Sequence, residues 1–316
     1  MINRKPIALT VGDPAGIGPE LILKALGARQ PSQRQEFVLY GDFGLLTREA
    51  ARLGLQDVLH GPRIVACSHL PDDFELGRIS AAAGAAAAAA IKRAAQDALR
   101  GVVRAIVTAP IHKEALAAAG LTYPGHTEML AALAGVAQVR MMLANDALRT
   151  VLVTIHMALR EAIAAITTEG VLTTIELAQK ALLRAGIAKP RIAVAGLNPH
   201  AGEGGRFGRE EIELIAPAIQ RAQALGIHVT GPWSPDTVFM RARGFVEFDV
   251  VIAMTHDHGL IPIKYLGLDK GVNATLGLPF VRTSPDHGTA FDIAGKGVAD
   301  PSSFEAAIAM ADELSA

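Results

Sequence analysis

The stretch Val250-Val251-Ile252-Ala253-Met254-Thr255-His256-Asp257-His258-Gly259 places an unbroken apolar run directly before two imidazoles that flank a carboxylate. A short apolar run closed by Gly predicts a strand buried on both faces, as in parallel sheets covered by helices. Ligands of such open sheets bind beyond the carboxyl ends of the strands, which makes residues 255–258 a candidate site. Similar runs recur at residues 6–11, 37–40, 64–67, 102–108, 151–155 and 192–195, separated by helix-length segments. The alternation predicts an α/β fold of βαβ units with mostly parallel sheets.

Helix starts are legible between the runs. Gly18-Pro19-Glu20 puts Pro in a first turn, Arg209-Glu210-Glu211 puts carboxylates at a positive dipole end, and Asp300-Pro301 precedes Phe304-Glu305-Ala306. Residues 81–90 are nine Ala around Gly84 and continue in helical pattern to Leu99. Alanine has the highest helix propensity and lets a helix lie close to a sheet, so this segment predicts a packed helix without chemistry.

At 316 residues the chain exceeds most single cores, and two domains are expected. No stretch reaches the roughly 18 consecutive apolar residues of a membrane span. Residues 1–6 lead straight into a strand-like run without a small-residue cleavage site, which argues against a signal peptide and for a cytoplasmic protein. The 30 basic and 31 acidic residues are dispersed, so no basic field exists to hold nucleic acid. With Cys67 as the only cysteine, an intramolecular disulfide is impossible, and any metal must be held by His, Asp or Glu.

Three of the apolar runs lead to histidine: His156, His200 and His256. One such His is more often a hydrogen-bonded structural residue. Three in matching places point to a divalent metal with coordination positions left open for substrate. Asp257 and Asp236 are candidates to orient a ligand, although Ser234-Pro235-Asp236-Thr237 is also ordinary turn chemistry. His258 is expected to face solvent. The glycine-rich segments at 12–20 and 202–208 match neither GxGxxG nor a P-loop, so a nucleotide is not held by the common fingerprint. Lys264, Lys270 and Arg282 each border apolar or Gly-rich segments. Such residues are usually surface cations with buried stems, yet beside Asn273 and the His126-Thr127 pair they could hold a phosphate or carboxylate.

The strings GDPAGIGPE (12–20), TAPIHKEAL (108–116), GHTE (125–128), GLNPHAGEGG (196–205), HDxG (256–259) and GVNATLGLPFVRTSPDHGTAFDIAGKG (271–297) closely resemble the 4-hydroxythreonine-4-phosphate dehydrogenase (PdxA) family of vitamin B6 biosynthesis, nearly end to end. Residues 287–301 also resemble the isocitrate and isopropylmalate dehydrogenases, more distantly. The resemblance implies two α/β/α domains with an interdomain cleft, one of residues 1–125 plus 265–316 and one of 126–264 that carries the metal ligands and dimer contacts. It implies a homodimer with active sites at the subunit interface. His156, His200 and His256 match metal ligands, one reaching in from the partner subunit. Asp257 and Lys264 complete the catalytic set, with Asp236 and Asp257 maintaining the site. His126, Thr127, Lys264, Asn273 and Arg282 match substrate-binding positions.

The implied reaction is NAD(P)-dependent oxidation of the secondary alcohol of 4-phosphooxy-L-threonine to 2-amino-3-oxo-4-phosphooxybutanoate, which loses CO2 to give 3-amino-2-oxopropyl phosphate. His287, Gly288 and Asp292 fall in the cofactor segment, and Asp292 suits the ribose hydroxyls of NAD better than the 2′-phosphate of NADP. Imidazole ligands suit zinc, cobalt and nickel, and an open site also accepts magnesium or manganese. The family usually has Tyr-His-Asp-Gln-Gly where this chain has Thr255-His256-Asp257-His258-Gly259. That departure leaves open the same chemistry on D-threonate or D-erythronate 4-phosphate, or on an aromatic cis-dihydrodiol. A non-catalytic binder of a small anion is the remaining alternative, and three strand-end histidines have little purpose in one.

Overall fold

A computed structural model describes residues 4–267 and 270–316. Its strands are β1 (Ile7–Thr10), β2 (Phe37–Asp42), β3 (Arg63–Ser68), β4 (Ala105–Thr108), β5 (Arg140–Ala144), β6 (Arg149–Leu152), β7 (Ile192–Ala195), β8 (Val229–Trp233), β9 (Val250–Ala253), β10 (Val272–Leu276) and β11 (Val281–Pro285). The chain divides into two compact units, Met1–Val139 with Leu278–Ser315, and Arg140–Gly277 with Ala316. The class is mixed α/β with mostly parallel pairing, as the apolar runs predict. Among the described residues no helix is long and apolar enough to cross a membrane.

In the first unit the strand order is β3-β2-β1-β4-β11, all parallel. β1, β2 and β4 are buried along their whole length, which is why apolar residues dominate them. The helix Ala81–Leu99 is capped by Ser80, whose Oγ accepts from Ala83 N at 3.1 Å. Its buried face, including Ala87, Ile91, Ala94 and Ala95, packs on the sheet. A Cβ on Gly84 would lie 2.0 Å from the Ala115 carbonyl oxygen, so only glycine lets the helix Lys113–Ala118 approach this closely.

The second unit has the order β10-β5-β6-β9-β7-β8. β6, β9, β7 and β8 run parallel, while β5 pairs antiparallel with both β10 and β6. Leu152, Ala193, Val251, Ala253 and Ile263 belong to its apolar core.

The unit boundaries differ from those expected at 125/126 and 264/265. The helix His126–Ala134 goes with the first unit because Met129 and Leu130 join the core around the Ala81–Leu99 helix. Residues 265–277 go with the second because β10 hydrogen-bonds along β5.

Candidate active site

In the second unit β6, β9 and β7 are parallel neighbours, so the residues that follow them emerge on one sheet edge. Beyond the strands, Val153 N donates to the Ala253 carbonyl at 2.9 Å and Thr154 Oγ1 to the Met254 carbonyl at 2.8 Å. These bonds carry the two extensions side by side. The rings of His156 and His256 consequently lie 5.6 Å apart between centroids, tilted by 47°. His256 opens the helix His256–Tyr265, and a Cβ on Gly259 would lie 2.3 Å from Leu152 Cδ2 and 2.7 Å from Thr150 Cγ2. Gly259 therefore lets the helix settle onto β6, and the site geometry depends on that contact.

His256 Nδ1 is 2.7 Å from Asp257 Oδ1. A neutral imidazole that donates from Nδ1 to a carboxylate keeps its Nε2 lone pair for a metal or a proton. The pair lies beside a pocket of about 460 Å³, whose lining includes Ile155, Leu159, Asn198 and His258. His258 was expected at the surface, but it is half-buried with Nδ1 enclosed and without a hydrogen-bond partner. Burial lowers its pKa, with Asp257 acting in the opposite sense.

His200 follows β7 in a turn of unusual shape. His200, Ala201 and Glu203 take φ of 52°, 52° and 43°, interleaved with left-handed Gly202, Gly204 and Gly205. A left-handed conformation costs an L-residue roughly 1–2 kcal/mol, so the turn has to be held by its surroundings. Glu211, 3% exposed, does so: its Oε1 accepts from Leu197 N at 2.8 Å and Asn198 N at 2.7 Å, and its Oε2 from Asn198 Nδ2 at 2.9 Å. Among the described residues no group of three or more His, Cys, Asp or Glu side chains is placed to hold a metal ion. The structure thus brings His156 and His256 together and leaves His200 out of that pair.

Asp236 sits in an exposed turn, where the Ser234 hydroxyl donates to it at 2.5 Å and holds its pKa below the usual carboxylate range. Lys264 is exposed on the helix that begins at His256, and Lys270 forms an exposed ion pair with Asp146 at 2.7 Å. Asn273 on β10 has Oδ1 enclosed without a partner and Nδ2 3.0 Å from Met141 Sδ.

A second group of candidates lies in the first unit. Arg282 on β11 is only 4% exposed, and its Nε and Nη2 donate to Thr108 Oγ1 at 3.2 and 2.8 Å. Burial lowers its pKa to about 10 against the opposing pull of Glu128. His126 starts the helix His126–Ala134 with Nε2 enclosed and without a partner. Burial, then the Arg282 charge, hold His126 well below the ordinary histidine pKa and therefore neutral near pH 7. Thr127 follows on the same turn. A buried guanidinium beside a neutral imidazole is suited to a phosphate oxygen array.

Of the cofactor candidates, His287, Gly288 and Asp292 are exposed in the segment after β11, with His287 Nδ1 3.0 Å from the Gly288 carbonyl oxygen. That segment is tied to the helix Gly18–Gly27. Buried Glu20 accepts from Gly297 N at 3.2 Å and Ala299 N at 2.8 Å, and Lys24 Nζ donates to the carbonyls of Gly297 at 2.9 Å and Ala299 at 2.7 Å. Thr108, Glu20 and Glu211 were not among the expected site residues. Each stood in a string singled out for another reason, and only burial reveals its role.

A model of the family described as pyridoxal phosphate biosynthetic protein PdxA matches residues 33–311. A 4-hydroxythreonine-4-phosphate dehydrogenase of Beijerinckia indica is 54% identical over 98% of this chain and 95% of its own. A D-threonate 4-phosphate dehydrogenase of Salmonella typhimurium is 45% identical over 99% of this chain and 100% of its own. Among solved structures, a 4-hydroxythreonine-4-phosphate dehydrogenase from Klebsiella pneumoniae is similar with a TM-score of 0.87 at 43% identity, covering 99% of this chain and 100% of that one.

Proposed function

The chain belongs to the PdxA family of pyridoxal phosphate biosynthetic proteins, and from that premise we propose that it is a metal- and NAD(P)-dependent dehydrogenase. It oxidises the secondary alcohol of 4-phosphooxy-L-threonine to 2-amino-3-oxo-4-phosphooxybutanoate, which decarboxylates to 3-amino-2-oxopropyl phosphate. The observation that carries this reading is the pairing of His156 with His256 at neighbouring strand ends, with Asp257 on the Nδ1 of His256.

The donor chemistry fits a divalent metal, because Asp257 fixes the tautomer in which His256 presents Nε2 outward. His156 and His256 supply two donors from one chain, and we assign the third to His200 of a second copy in a homodimer. Met157 and Leu159, 45% and 66% exposed beside the pair, are apolar surface that such a partner would cover. Zinc, cobalt or nickel suits imidazole best, and magnesium or manganese remains compatible with an open site. When bound, the metal polarises the substrate hydroxyl and then the new ketone.

The chain's own residues bind and orient. Within the first unit, buried Arg282 and His126 are assigned to the phosphate, with Thr127 beside them. Neutral His126 contributes a hydrogen bond without a second positive charge beside Arg282. A bound nicotinamide would supply the acceptor for the hydride of the carbinol carbon, with the hydroxyl proton released separately. The resulting β-keto acid loses CO2 as its ketone accepts the electrons of the broken bond. His287, Gly288 and Asp292 are assigned to the cofactor, with Asp292 on the ribose hydroxyls of NAD.

A second reading, the same chemistry on D-threonate 4-phosphate, is favoured by half-buried His258 in the pocket wall, which alters the polar surface beside His256. A terephthalate-type cis-dihydrodiol would offer the buried Arg282 a ring carboxylate in place of a phosphate. Initial rates of NADH formation on each phosphorylated acid separate the first two readings. Absence of turnover on both would refute the assignment.

A further inference from the structure

His200 sits on a backbone that L-residues avoid, and one carboxylate spans that backbone. Glu211 takes up the amides of Leu197 and Asn198, where the chain leaves β7, at 2.8 and 2.7 Å. Its other oxygen lies only 2.7 Å from where a Cβ on Gly202 would be, so the carboxylate also packs against the middle of the left-handed turn. Asn198 Nδ2 donates to Glu211 Oε2 at 2.9 Å and to Glu210 Oε2 at 2.7 Å, closing the network from the other side. Glu211 begins a π-helical turn, Glu211–Ile215, ahead of the helix Ala216–Ala224. Single π-turns are uncommon and recur at functional sites, where they redirect a side chain.

We propose that Glu211 is a positioning residue that holds the left-handed turn and thereby sets His200 in place as a metal ligand. The proposal rests on the reading of His200 as a ligand. Nothing in it requires Glu211 to touch metal or substrate. A carboxylate has acceptors only, and here both oxygens face donors. In Glu211→Gln one acceptor becomes a donor directed at Asn198 Nδ2, and Asn198 cannot reverse its amide without losing Glu210. The turn then relaxes toward φ values that L-residues prefer.

The test is equilibrium dialysis of the full-length chain against Co2+, with circular dichroism on the same samples to confirm the fold. His200→Ala should lose binding. E211Q should bind Co2+ about 10- to 100-fold more weakly than the wild type, the range seen when the support of a ligand is removed. Adding Ala201→Gly to E211Q should recover most of that loss, because glycine occupies the left-handed region without penalty. Recovery distinguishes positioning through the turn from a charge effect on the metal, which A201G would not repair. If H200A binds Co2+ like the wild type, the underlying reading of His200 fails. If H200A loses Co2+ while E211Q retains wild-type affinity, that reading stands and the role of Glu211 is refuted. Failure of A201G to restore binding likewise refutes it. Should E211Q not fold, Asn198→Ala removes only the side-chain arm of the network and should weaken Co2+ binding in the same direction. Wild-type affinity in N198A would overturn the proposal.

Discussion

At the scale of the residue, the proposed chemistry turns on His256 and what surrounds it. Replacing His156 or His256 by Ala should abolish turnover while the fold persists, because both side chains stand at the sheet edge outside the core; far-UV circular dichroism alongside the rate measurement checks both halves. Asp257→Asn keeps the shape but weakens the support of His256, and a loss of about 10- to 100-fold in kcat/KM is expected. Arg282→Lys removes the planar fork, so KM for the phosphorylated substrate should rise about 10- to 100-fold, the equivalent of one hydrogen bond to a charged group. Neutral His126 also gives a pH signature. Its folded pKa is lowered, so as the pH falls below the unfolded value near 6.5, only the unfolded chain takes up the proton. Stability from this group is intact above that value and falls as pH drops toward the folded pKa. His126→Asn should therefore show a flatter melting temperature between about pH 7 and 5. The three histidines stood out in the sequence because each follows an apolar run, and the structure pairs His156 with His256. Arg282 was named as a substrate-binding candidate, but its burial was not legible, because an Arg after Val281 reads as a surface cation and only the structure shows it 4% exposed against Thr108.

At the scale of the element, two glycines decide where the helices rest. Gly84→Ala would drive a Cβ into the Ala115 carbonyl, which is backbone and cannot rotate away. Destabilisation of about 1–3 kcal/mol is expected, read as a lower urea midpoint at unchanged slope. At Gly259 a Cβ would meet Leu152 Cδ2 at 2.3 Å and the buried, branched Thr150 Cγ2 at 2.7 Å, so Gly259→Ala should lower both stability and activity. Strands that are apolar or nearly so, such as β1, β7 and β9, were visible as runs in the chain. β8, β10 and β11 were not: they contain Gly231-Pro232, Asn273 and Arg282 with Pro285, residues that ordinary strand patterns exclude. Two of these three strands carry substrate-binding candidates.

At the scale of the whole molecule, the first unit is discontinuous in sequence, and the junctions between the units fall where helix packing and strand pairing place them. Alternation of runs could reveal an α/β chain, but a junction depends on which unit a helix packs against, as the helix His126–Ala134 shows, and no local pattern encodes that. The measurement that tests the central claim most directly is NADH formation by metal-replete protein, run in parallel with 4-phosphooxy-L-threonine, D-threonate 4-phosphate, D-erythronate 4-phosphate and a cis-dihydrodiol. The highest kcat/KM is expected with 4-phosphooxy-L-threonine, and chelation of the metal should abolish it. A dihydrodiol turned over faster than every phosphorylated acid, or full activity after chelation, would contradict the account.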